Sequence, residues 1–593
     1  MQKHLFLIIF LIINSFCYSN NVINIKLNSK KTRTIFVEIS ELKLNKTSEL
    51  FLFPSVALGM YEKNDFGNYV MEMKVIYRNG KIKKAKRKDI NSFIIENARD
   101  VDKIQYLVKE TGGDVFSPGG TIYENNLNYL LNFHAIIGYF SSLQYSNYTV
   151  NIEKPKHITG IGSLDITNNS TTTDIITASN YKELIDSPFL YSYFEKNDTC
   201  SIFLNQNQKI QIAVMPNKFG MTANSTLHII EPVLEILTKS KLFKNLFPKK
   251  YCFIFCFNNK YSPITGALEH NKSSVFFLND NYNIKSFLIN TISHELIHIL
   301  SPLHIRSNLI EKFNHNHPKF SKHLWLYEGV TEYLSLKCNL NAGLIDTLAF
   351  FKKLKYKSNK SMSFEKQSLT KVSENILDEK NQEYYTNFYN KGALIGFLLD
   401  YEIANFSNGQ KGINDLLMFL LFDDDNNEKI FSDNNLIENI VSKFPETEKC
   451  FNNYVQGVRK VPIDKYFDSL GVSIVNSNIT ELKTTWDFGI NRVVFRNKKS
   501  YLIIKNQPFN KKISDKKIKI LSVNGTKINF GTSKLLFSPK NGDTLKILIK
   551  NKLRIKEMNI SPQVKYYEKR RECILYSYKS EYGERILNKI LSF

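Results

Sequence analysis

The segment His294-Glu295-Leu296-Ile297-His298 constrains the fold of this chain more than any other part of it. Two histidines four positions apart on a helix project from one face, so both imidazoles can reach a single ion. Apolar residues at helical spacing predict that helix over residues 281–300, and a second predicted helix, over 322–338, carries Glu328. The sequence therefore predicts two helices that meet around a metal ion.

His294, His298 and Glu328 form a ligand set that is typical of catalytic zinc, because three protein ligands leave the fourth position for water. We predict Glu295 as the general base that takes the proton of that water and passes it to a leaving amine. Glu328 lies on the otherwise apolar face formed by residues 324–327, and its carboxylate would be costly to bury there without a cation. We expect one zinc ion per chain; the alternative is that both histidines only fill an apolar helix.

Length and patterning predict a multidomain α+β protein. A chain of 593 residues is too long for one core, and 42% hydrophobic residues supply enough apolar surface for several. Short alternating runs over residues 20–180 predict an antiparallel β domain. Helical periodicity dominates 181–460, with a small sheet at its start, and strands return over 461–593.

Residues 1–19 have the pattern of a secretory signal, with Lys3 before an apolar run and small side chains ahead of a cleavage site after Ser19. We therefore expect an exported protein: periplasmic, cell-surface or extracellular. No later segment is apolar enough to predict a transmembrane helix. The six cysteines that remain after cleavage allow disulfides without fixing their pairing.

The net charge of +24 raises the alternative of a nucleic-acid or membrane-surface protein. The lysines are spread along the whole chain, however, and the densest run, residues 81–88, follows an Asn79-Gly80 hairpin signal. A solvated strand explains such a run, so we predict no nucleic-acid partner.

Several further motifs point to one family. In chain order they are Pro54 with Asp65-Phe66-Gly67, Ile185-Asp186-Ser187-Pro188, Gly266-Ala267-Leu268-Glu269-His270, the zinc motif, Tyr389-Asn390-Lys391-Gly392-Ala393-Leu394, and Tyr466-Phe467 with Leu470-Gly471. Together they resemble the glycyl aminopeptidase family, over nearly the whole mature chain. These are secreted zinc peptidases with an N-terminal β domain, a thermolysin-like catalytic domain and a C-terminal PDZ domain.

The resemblance implies an N-terminal β domain over 20–180, a thermolysin-like zinc-peptidase domain over 181–460 and a PDZ-like module over 461–593. This chain departs from the family pattern at Ala267, where a second glycine is usual, and at Glu332, where a small residue is usual. Near Phe488-Gly489 it also lacks a recognisable Gly-Leu-Gly-Phe loop for binding a peptide carboxylate.

The resemblance also implies roles for residues outside the metal motif. Tyr389 would stabilise the oxyanion, Glu269 would bind the free α-amine of a peptide, and Gly266 and Ala267 would line the substrate site. The alternatives are that Tyr389 only packs between helices and that Glu269 is an exposed strand acid. Glu332 would either orient a metal ligand or be solvated.

We therefore expect an exported zinc aminopeptidase that removes small, Gly- or Ala-like residues from peptides. Two alternatives remain: an endopeptidase of the same fold, and a non-catalytic homologue that only binds peptides. His304, His315, His317 and His323 are interpreted as loop histidines, although a second metal site is conceivable. The sequence leaves the oligomeric state open.

Overall fold

A computed structural model provides the structure of this chain. It describes residues 20–27, 33–112, 115, 117–124, 127–257, 265–278, 284–364, 366–487, 490–496, 499–504, 517–527, 544–551, 554–560, 563–576 and 581–593. The predicted signal segment, 1–19, and the dipeptide Phe488-Gly489 lie outside the described residues.

The N-terminal region is built almost entirely from strands, as predicted. An eight-stranded sheet has the order β14-β15-β12-β1-β2-β8-β4-β5, and two four-stranded sheets have the orders β13-β16-β10-β9 and β11-β3-β7-β6. Neighbouring strands are antiparallel except for the parallel pair of β1 and β12. The strands are β1 (Asn20–Lys26), β2 (Thr34–Ser40), β3 (Ser48–Leu52), β4 (Val70–Tyr77), β5 (Ile82–Lys84), β6 (Lys86–Asp89), β7 (Ser92–Glu96), β8 (Val101–Lys109), β9 (Ile122–Glu124), β10 (Asn128–Leu131), β11 (Tyr139–Phe140), β12 (Asn147–Glu153), β13 (Thr159–Gly162), β14 (Ile166–Asn169), β15 (Thr173–Ala178) and β16 (Phe189–Ser192).

Alternation of apolar and polar residues explains these sheets. Along β2, Ile35, Val37 and Ile39 are buried while the residues between them are partly exposed. One hydrophobic core takes residues from all three sheets. The short helix α1 (Tyr181–Ile185) follows β15, and its N-terminus is capped by the Asn180 side chain.

A five-stranded sheet opens the next region, in the order β17-β18-β19-β21-β20. Helix α2 (Ala223–Lys239) connects β18 to its parallel neighbour β19, and β20 pairs antiparallel with β21 at the sheet edge. The strands are β17 (Thr199–Asn205), β18 (Gln208–Val214), β19 (Lys250–Phe257), β20 (Gly266–His270) and β21 (Ser273–Leu278). Strand β20 is at the edge of the sheet, so the side that faces away from β21 pairs with no strand of this sheet and can line a cleft.

Helices dominate the remainder of this region, which confirms the prediction. The short strands β22 (Arg306–Ser307) and β23 (Ile430–Phe431) pair in parallel. A π-helical segment, Trp325–Val330, runs directly into α5. The helices are α3 (Ile284–Ile297), α4 (Asn308–Glu311), α5 (Thr331–Asn341), α6 (Thr347–Ser361), α7 (Leu369–Glu374), α8 (Glu379–Gln382), α9 (Thr386–Phe406), α10 (Ile413–Leu421), α11 (Leu436–Lys443), α12 (Glu448–Cys450) and α13 (Ile463–Ser469).

Val472–Ser577 form a separate compact unit, whereas Tyr578–Phe593 group with the chain up to Gly471. The separate unit contains β24 (Val472–Asp487) paired with β31 (Gln563–Tyr576), and a sheet of β25 (Ile490–Arg496), β26 (Lys499–Ile504), β27 (Lys517–Val523), β28 (Thr526–Lys527), β29 (Leu545–Asn551) and β30 (Arg554–Ile560). Its β-rich character was predicted. The last helix, α14 (Glu581–Leu591), packs on the helical region, where Asn341 Nδ2 donates to Leu591 O at 2.8 Å.

No helix among the described residues combines the length and the hydropathy that crossing a membrane requires.

Candidate metal centre and active site

Helix α3 and the π-helical segment bring the three predicted metal ligands together. The rings of His294 and His298 lie 4.8 Å apart, centroid to centroid, on one face of α3. Glu328 Oε2 lies 3.3 Å from His294 Nε2 and 3.8 Å from His298 Nε2. All three side chains are buried, and their ligand atoms lie within 4.8 Å of one another. Two imidazole nitrogens and one carboxylate in this arrangement fit a zinc ion.

Each histidine is oriented through its other ring nitrogen. His298 Nδ1 donates to the carbonyl oxygen of Ser301 at 2.8 Å, and His294 Nδ1 donates to Glu332 Oε2 at 2.9 Å. Lys357 Nζ holds the other Glu332 oxygen at 2.6 Å. Burial opposes ionisation of Glu332, but Lys357 and His294 together lower its pKa to about 2. Both Nε2 atoms are therefore left to face Glu328, and Glu332 orients the His294 ring.

Glu295 is buried one residue after His294, beside the ligand set. Burial raises the pKa of Glu295 to about 8, and the Glu328 and Glu332 carboxylates act in the same direction against the attraction of His294. No described residue hydrogen-bonds Glu295 Oε2. A buried carboxylate oxygen without a protein partner needs water or a cation, and this oxygen lies beside the residues that could hold a metal.

Tyr389 lies over the metal centre from helix α9. Its ring centroid is 5.5 Å from that of His294, and its hydroxyl shares a hydrogen bond with the Tyr385 hydroxyl at 2.8 Å. Burial, followed by repulsion from Glu328, raises the pKa of Tyr389 well above its ordinary value. The phenol therefore keeps its proton and remains a hydrogen-bond donor.

Two glycines allow helix α9 to approach the π-helical segment. A Cβ on Gly392 would lie 2.6 Å from Gly329 Cα, and a Cβ on Gly329 would lie 2.4 Å from Gly392 Cα. These glycines follow Glu328 and Tyr389 closely in sequence. Their contact therefore sets the distance between the carboxylate ligand and the phenol.

Glu269 lies in the cleft, on the edge strand β20, and is not a fully exposed strand acid. Glu269, Glu295 and His298 have ligand atoms within 4.8 Å of one another. Burial, followed by repulsion from Glu328 and Glu295, raises the pKa of Glu269 well above its ordinary value. A cationic group would relieve this repulsion.

One cavity of about 570 Å³ is lined by Glu269, His294, Glu295, His298, Glu328, Glu332 and Tyr389. Gly266 and Ala267 line it, as the sequence resemblance implied. The cavity also contains residues that the sequence did not single out: Gly59, Met60, Tyr61, Glu62, Gln382 and Tyr385. Residues 59–62 come from the N-terminal region and carry no chemical motif, so no sequence signal could have placed them here.

Three of the four histidines interpreted as loop histidines have backbone partners. His323 Nε2 donates to Asp433 O at 2.7 Å, while His304 Nδ1 donates to Ile299 O and His315 Nδ1 to Val56 O. None of them belongs to a metal-binding group among the described residues. His270 is also turned away from the cavity, with Nδ1 2.8 Å from Asp186 Oδ1.

Comparison with solved structures shows the fold. The crystal structure of an aminopeptidase N family protein from Idiomarina loihiensis superposes with a TM-score of 0.69 at 15% identity, covering 96% of this chain and 100% of that chain. An M1 zinc metallopeptidase from Deinococcus radiodurans is 12% identical, covering 75% of this chain and 95% of that chain, with a TM-score of 0.46. No curated protein matches this sequence significantly.

Comparison with family models covers both the β domain and the metal-binding helices. Residues 23–193 match the Peptidase M61 N-terminal domain, and residues 287–395 match M61 glycyl aminopeptidase. The second match contains His294, Glu295, His298, Glu328 and Tyr389. The two matches occur in the same order as the domains implied by the sequence motifs. The chain therefore carries both Peptidase M61 family-model domains, the N-terminal domain and the glycyl aminopeptidase core.

Proposed function

We propose that this protein is an exported zinc aminopeptidase that removes small N-terminal residues from peptides. The observation that carries the proposal is the convergence of two sites in one cavity: a His294, His298 and Glu328 ligand set, and the Glu269 carboxylate beside it. A metal centre next to an acidic anchor is what hydrolysis at a free amino terminus requires.

His294, His298 and Glu328 would hold the zinc ion. When bound, zinc supplies a Lewis acid that polarises the scissile carbonyl and acidifies water. Glu295 takes a proton from the attacking water and delivers it to the leaving amine. Tyr389 donates a hydrogen bond to the oxygen on which negative charge develops. The orphaned Glu295 oxygen and the protonated phenol support these assignments.

Glu269 is the residue on which the proposed exopeptidase activity depends. A substrate ammonium would form a charge-assisted hydrogen bond with Glu269 and relieve its repulsion from Glu295. The cavity lining contains no lysine or arginine among the described residues, so its charge favours an amino terminus over a carboxylate. An endopeptidase would not need Glu269, and a protein that only binds peptides would not need Glu295.

The preference for small residues rests on the family and on the wall opposite Glu269. Gly59 lies so close that a Cβ there would be 2.7 Å from Glu269 Oε1. This wall limits the space around a bound α-amine, which favours Gly or Ala. The Gly266 and Ala267 backbone on β20 forms another side of the same cavity.

Export and the nature of the C-terminal unit are further parts of the proposal. The signal pattern of residues 1–19 supports export, and sequencing the mature amino terminus tests it. We propose a PDZ-like module for the unit Val472–Ser577, supported by its antiparallel sheet and the Asn524-Gly525 hairpin. We further propose that the helical domain is thermolysin-like.

A panel of amino-acid arylamides and matched blocked peptides, incubated with purified protein, tests the proposed function. We expect hydrolysis of glycyl and alanyl arylamides that disappears on chelation and returns with zinc. Cleavage of blocked peptides at internal bonds would instead identify an endopeptidase. If the zinc-loaded protein cleaved none of these substrates, the remaining interpretation would be a non-catalytic homologue that only binds peptides.

A further inference from the structure

Helix α6 places the ammonium of Lys357 behind the metal centre, between two residues of the proposed reaction. Lys357 Nζ lies 2.6 Å from Glu332 Oε1, and the other Glu332 oxygen, Oε2, accepts from His294 Nδ1 at 2.9 Å. The same ammonium donates to the carbonyl oxygen of Tyr389 at 3.1 Å. One cation therefore contacts both the carboxylate that orients a candidate metal ligand and the backbone that carries the candidate phenol donor.

Lys357 and Glu332 are largely shielded from solvent, since their side chains are 12% and 17% exposed. An ammonium has three donors, so it can serve a carboxylate and a carbonyl at once. Charge-assisted hydrogen bonds are stronger than neutral ones, and the low polarity of a buried site strengthens them further. The contacts of Lys357 therefore hold their partners more firmly than a surface ion pair would.

The residues that Lys357 joins are carried by separate helices. His294 comes from α3, Glu332 from α5 and Tyr389 from the beginning of α9. The rings of Tyr389 and His294 lie 5.5 Å apart, centroid to centroid. A contact from α6 to both sides of this arrangement fixes the ligand and the phenol relative to each other, and small displacements of such groups are costly to catalysis.

We propose that Lys357 is a positioning residue that couples the metal ligand to the oxyanion donor. Through Glu332 it sets the orientation of the His294 ring, and through the Tyr389 carbonyl it sets the position of α9. Lys357 does not line the cavity, so it acts only through these residues. This inference rests on the proposed function and deepens it, because the proposed reaction gives Lys357 no part in holding Tyr389.

Zinc affinity tests the half of the inference that runs through Glu332. Full-length wild type, Lys357→Met and Lys353→Met would be titrated against a chromogenic zinc chelator. Lys353, one turn earlier on α6, donates to Asn290 Oδ1 at 2.7 Å, and Glu332 attracts it electrostatically. Lys353→Met therefore removes a nearby positive charge and leaves both Lys357 contacts. We expect the zinc dissociation constant to rise about ten- to a hundredfold in Lys357→Met and to stay within about twofold of the wild type in Lys353→Met.

Arylamide hydrolysis at saturating zinc tests the half that runs through Tyr389. Lys357→Met should lower kcat roughly tenfold with little change in KM, because the phenol is displaced from a charge that develops only in the transition state. The same change made in Tyr389→Phe should lower kcat by about twofold at most, since the phenol that Lys357 positions is already absent. General damage to the site would lower kcat equally in both backgrounds.

A double variant covers the case in which Lys357→Met alone does not fold. Lys357→Met leaves the buried Glu332 carboxylate without its cation, whereas Glu332→Gln combined with Lys357→Met leaves no unpaired charge. We expect this double variant to bind zinc as weakly as Glu332→Gln alone and to have a kcat roughly tenfold below that of Glu332→Gln.

Three results would overturn the inference: an unchanged zinc dissociation constant in Lys357→Met, an equal rise in Lys353→Met, or an equal fall of kcat with and without the Tyr389 phenol. Failure of the proposed function looks different. The wild type would then cleave no arylamide, while the zinc titration would still show whether Lys357 supports the ligand through Glu332.

Discussion

At the scale of residues, the metal centre depends on partners that orient the ligands. Ser301 O fixes His298, and Glu332 fixes His294 with the help of Lys357. The sequence left Glu332 open between an orienting carboxylate and a solvated one. The 2.9 Å contact with His294 Nδ1 decides in favour of the orienting role, although the family has a small residue there.

The division of labour between Glu295 and Tyr389 can be tested by conservative changes. Glu295→Gln should keep zinc and lose roughly a thousandfold in kcat, because glutamine cannot take the proton of the attacking water. Tyr389→Phe should lose about a hundredfold, since the bound metal still polarises the carbonyl. Steady-state kinetics with elemental analysis of zinc checks both variants. Wild-type kcat in either one would reassign its role.

At the scale of elements, apolar periodicity predicted α3, but two local features escaped it. The segment that carries Glu328 was predicted as an ordinary helix and is instead π-helical over Trp325–Val330. Side-chain periodicity does not distinguish these helices over so short a segment. The contact between Gly329 and Gly392 could not be predicted either, because it joins residues far apart in sequence.

The contact between Gly392 and Gly329 predicts that alanine destabilises the fold at Gly392 but not at a glycine with open space around it. Gly392→Ala should lower the free energy of unfolding by about 1 to 3 kcal/mol, because its Cβ would press on Gly329 Cα. It should also lower kcat by separating Tyr389 from Glu328. Gly583→Ala on α14 is the control: its Cβ would meet nothing within 4 Å, and alanine favours a helix. Urea unfolding that gave the two variants equal stability would contradict this account.

His134 gives the packing of the N-terminal region a pH dependence. It is buried and donates from Nε2 to Gly119 O at 2.7 Å, and burial lowers its pKa to about 4. The folded protein therefore binds fewer protons here than the unfolded chain between pH 6.5 and 4, so stability is lost as pH falls through that window.

The loss from this one histidine should approach about 3 kcal/mol at pH 4. His134→Gln keeps a donor for Gly119 O without a charge, and should show a smaller decrease over the same window. Chemical denaturation of the zinc-free proteins at pH 7, 5.5 and 4 gives the comparison. Equal pH dependence in both proteins would show that His134 is not neutral in the fold.

At the scale of the whole molecule, the sequence predicted the order of the regions: strands first, then a helical domain with a small sheet, then strands again. It also singled out six side chains that the structure places in one cavity: Glu269, His294, Glu295, His298, Glu328 and Tyr389. It did not predict that residues 59–62 of the first region line the cavity. Such contacts depend on how one region packs on another, and no local pattern records them.

Discrimination between free and blocked amino termini is the most direct test of the central claim, that this is an aminopeptidase built around zinc and Glu269. Acetylation removes the ammonium and leaves the desolvated Glu269 without its partner, at a cost of about 2 to 4 kcal/mol.

The measurement is kcat/KM of the zinc-loaded enzyme for one short peptide, free and N-acetylated, in the wild type and in Glu269→Ala. We expect acetylation to lower kcat/KM roughly thirty- to a thousandfold in the wild type, and the two peptides to become nearly equal in Glu269→Ala. Equal cleavage of both peptides at internal bonds by the wild type would contradict the aminopeptidase account and leave the endopeptidase.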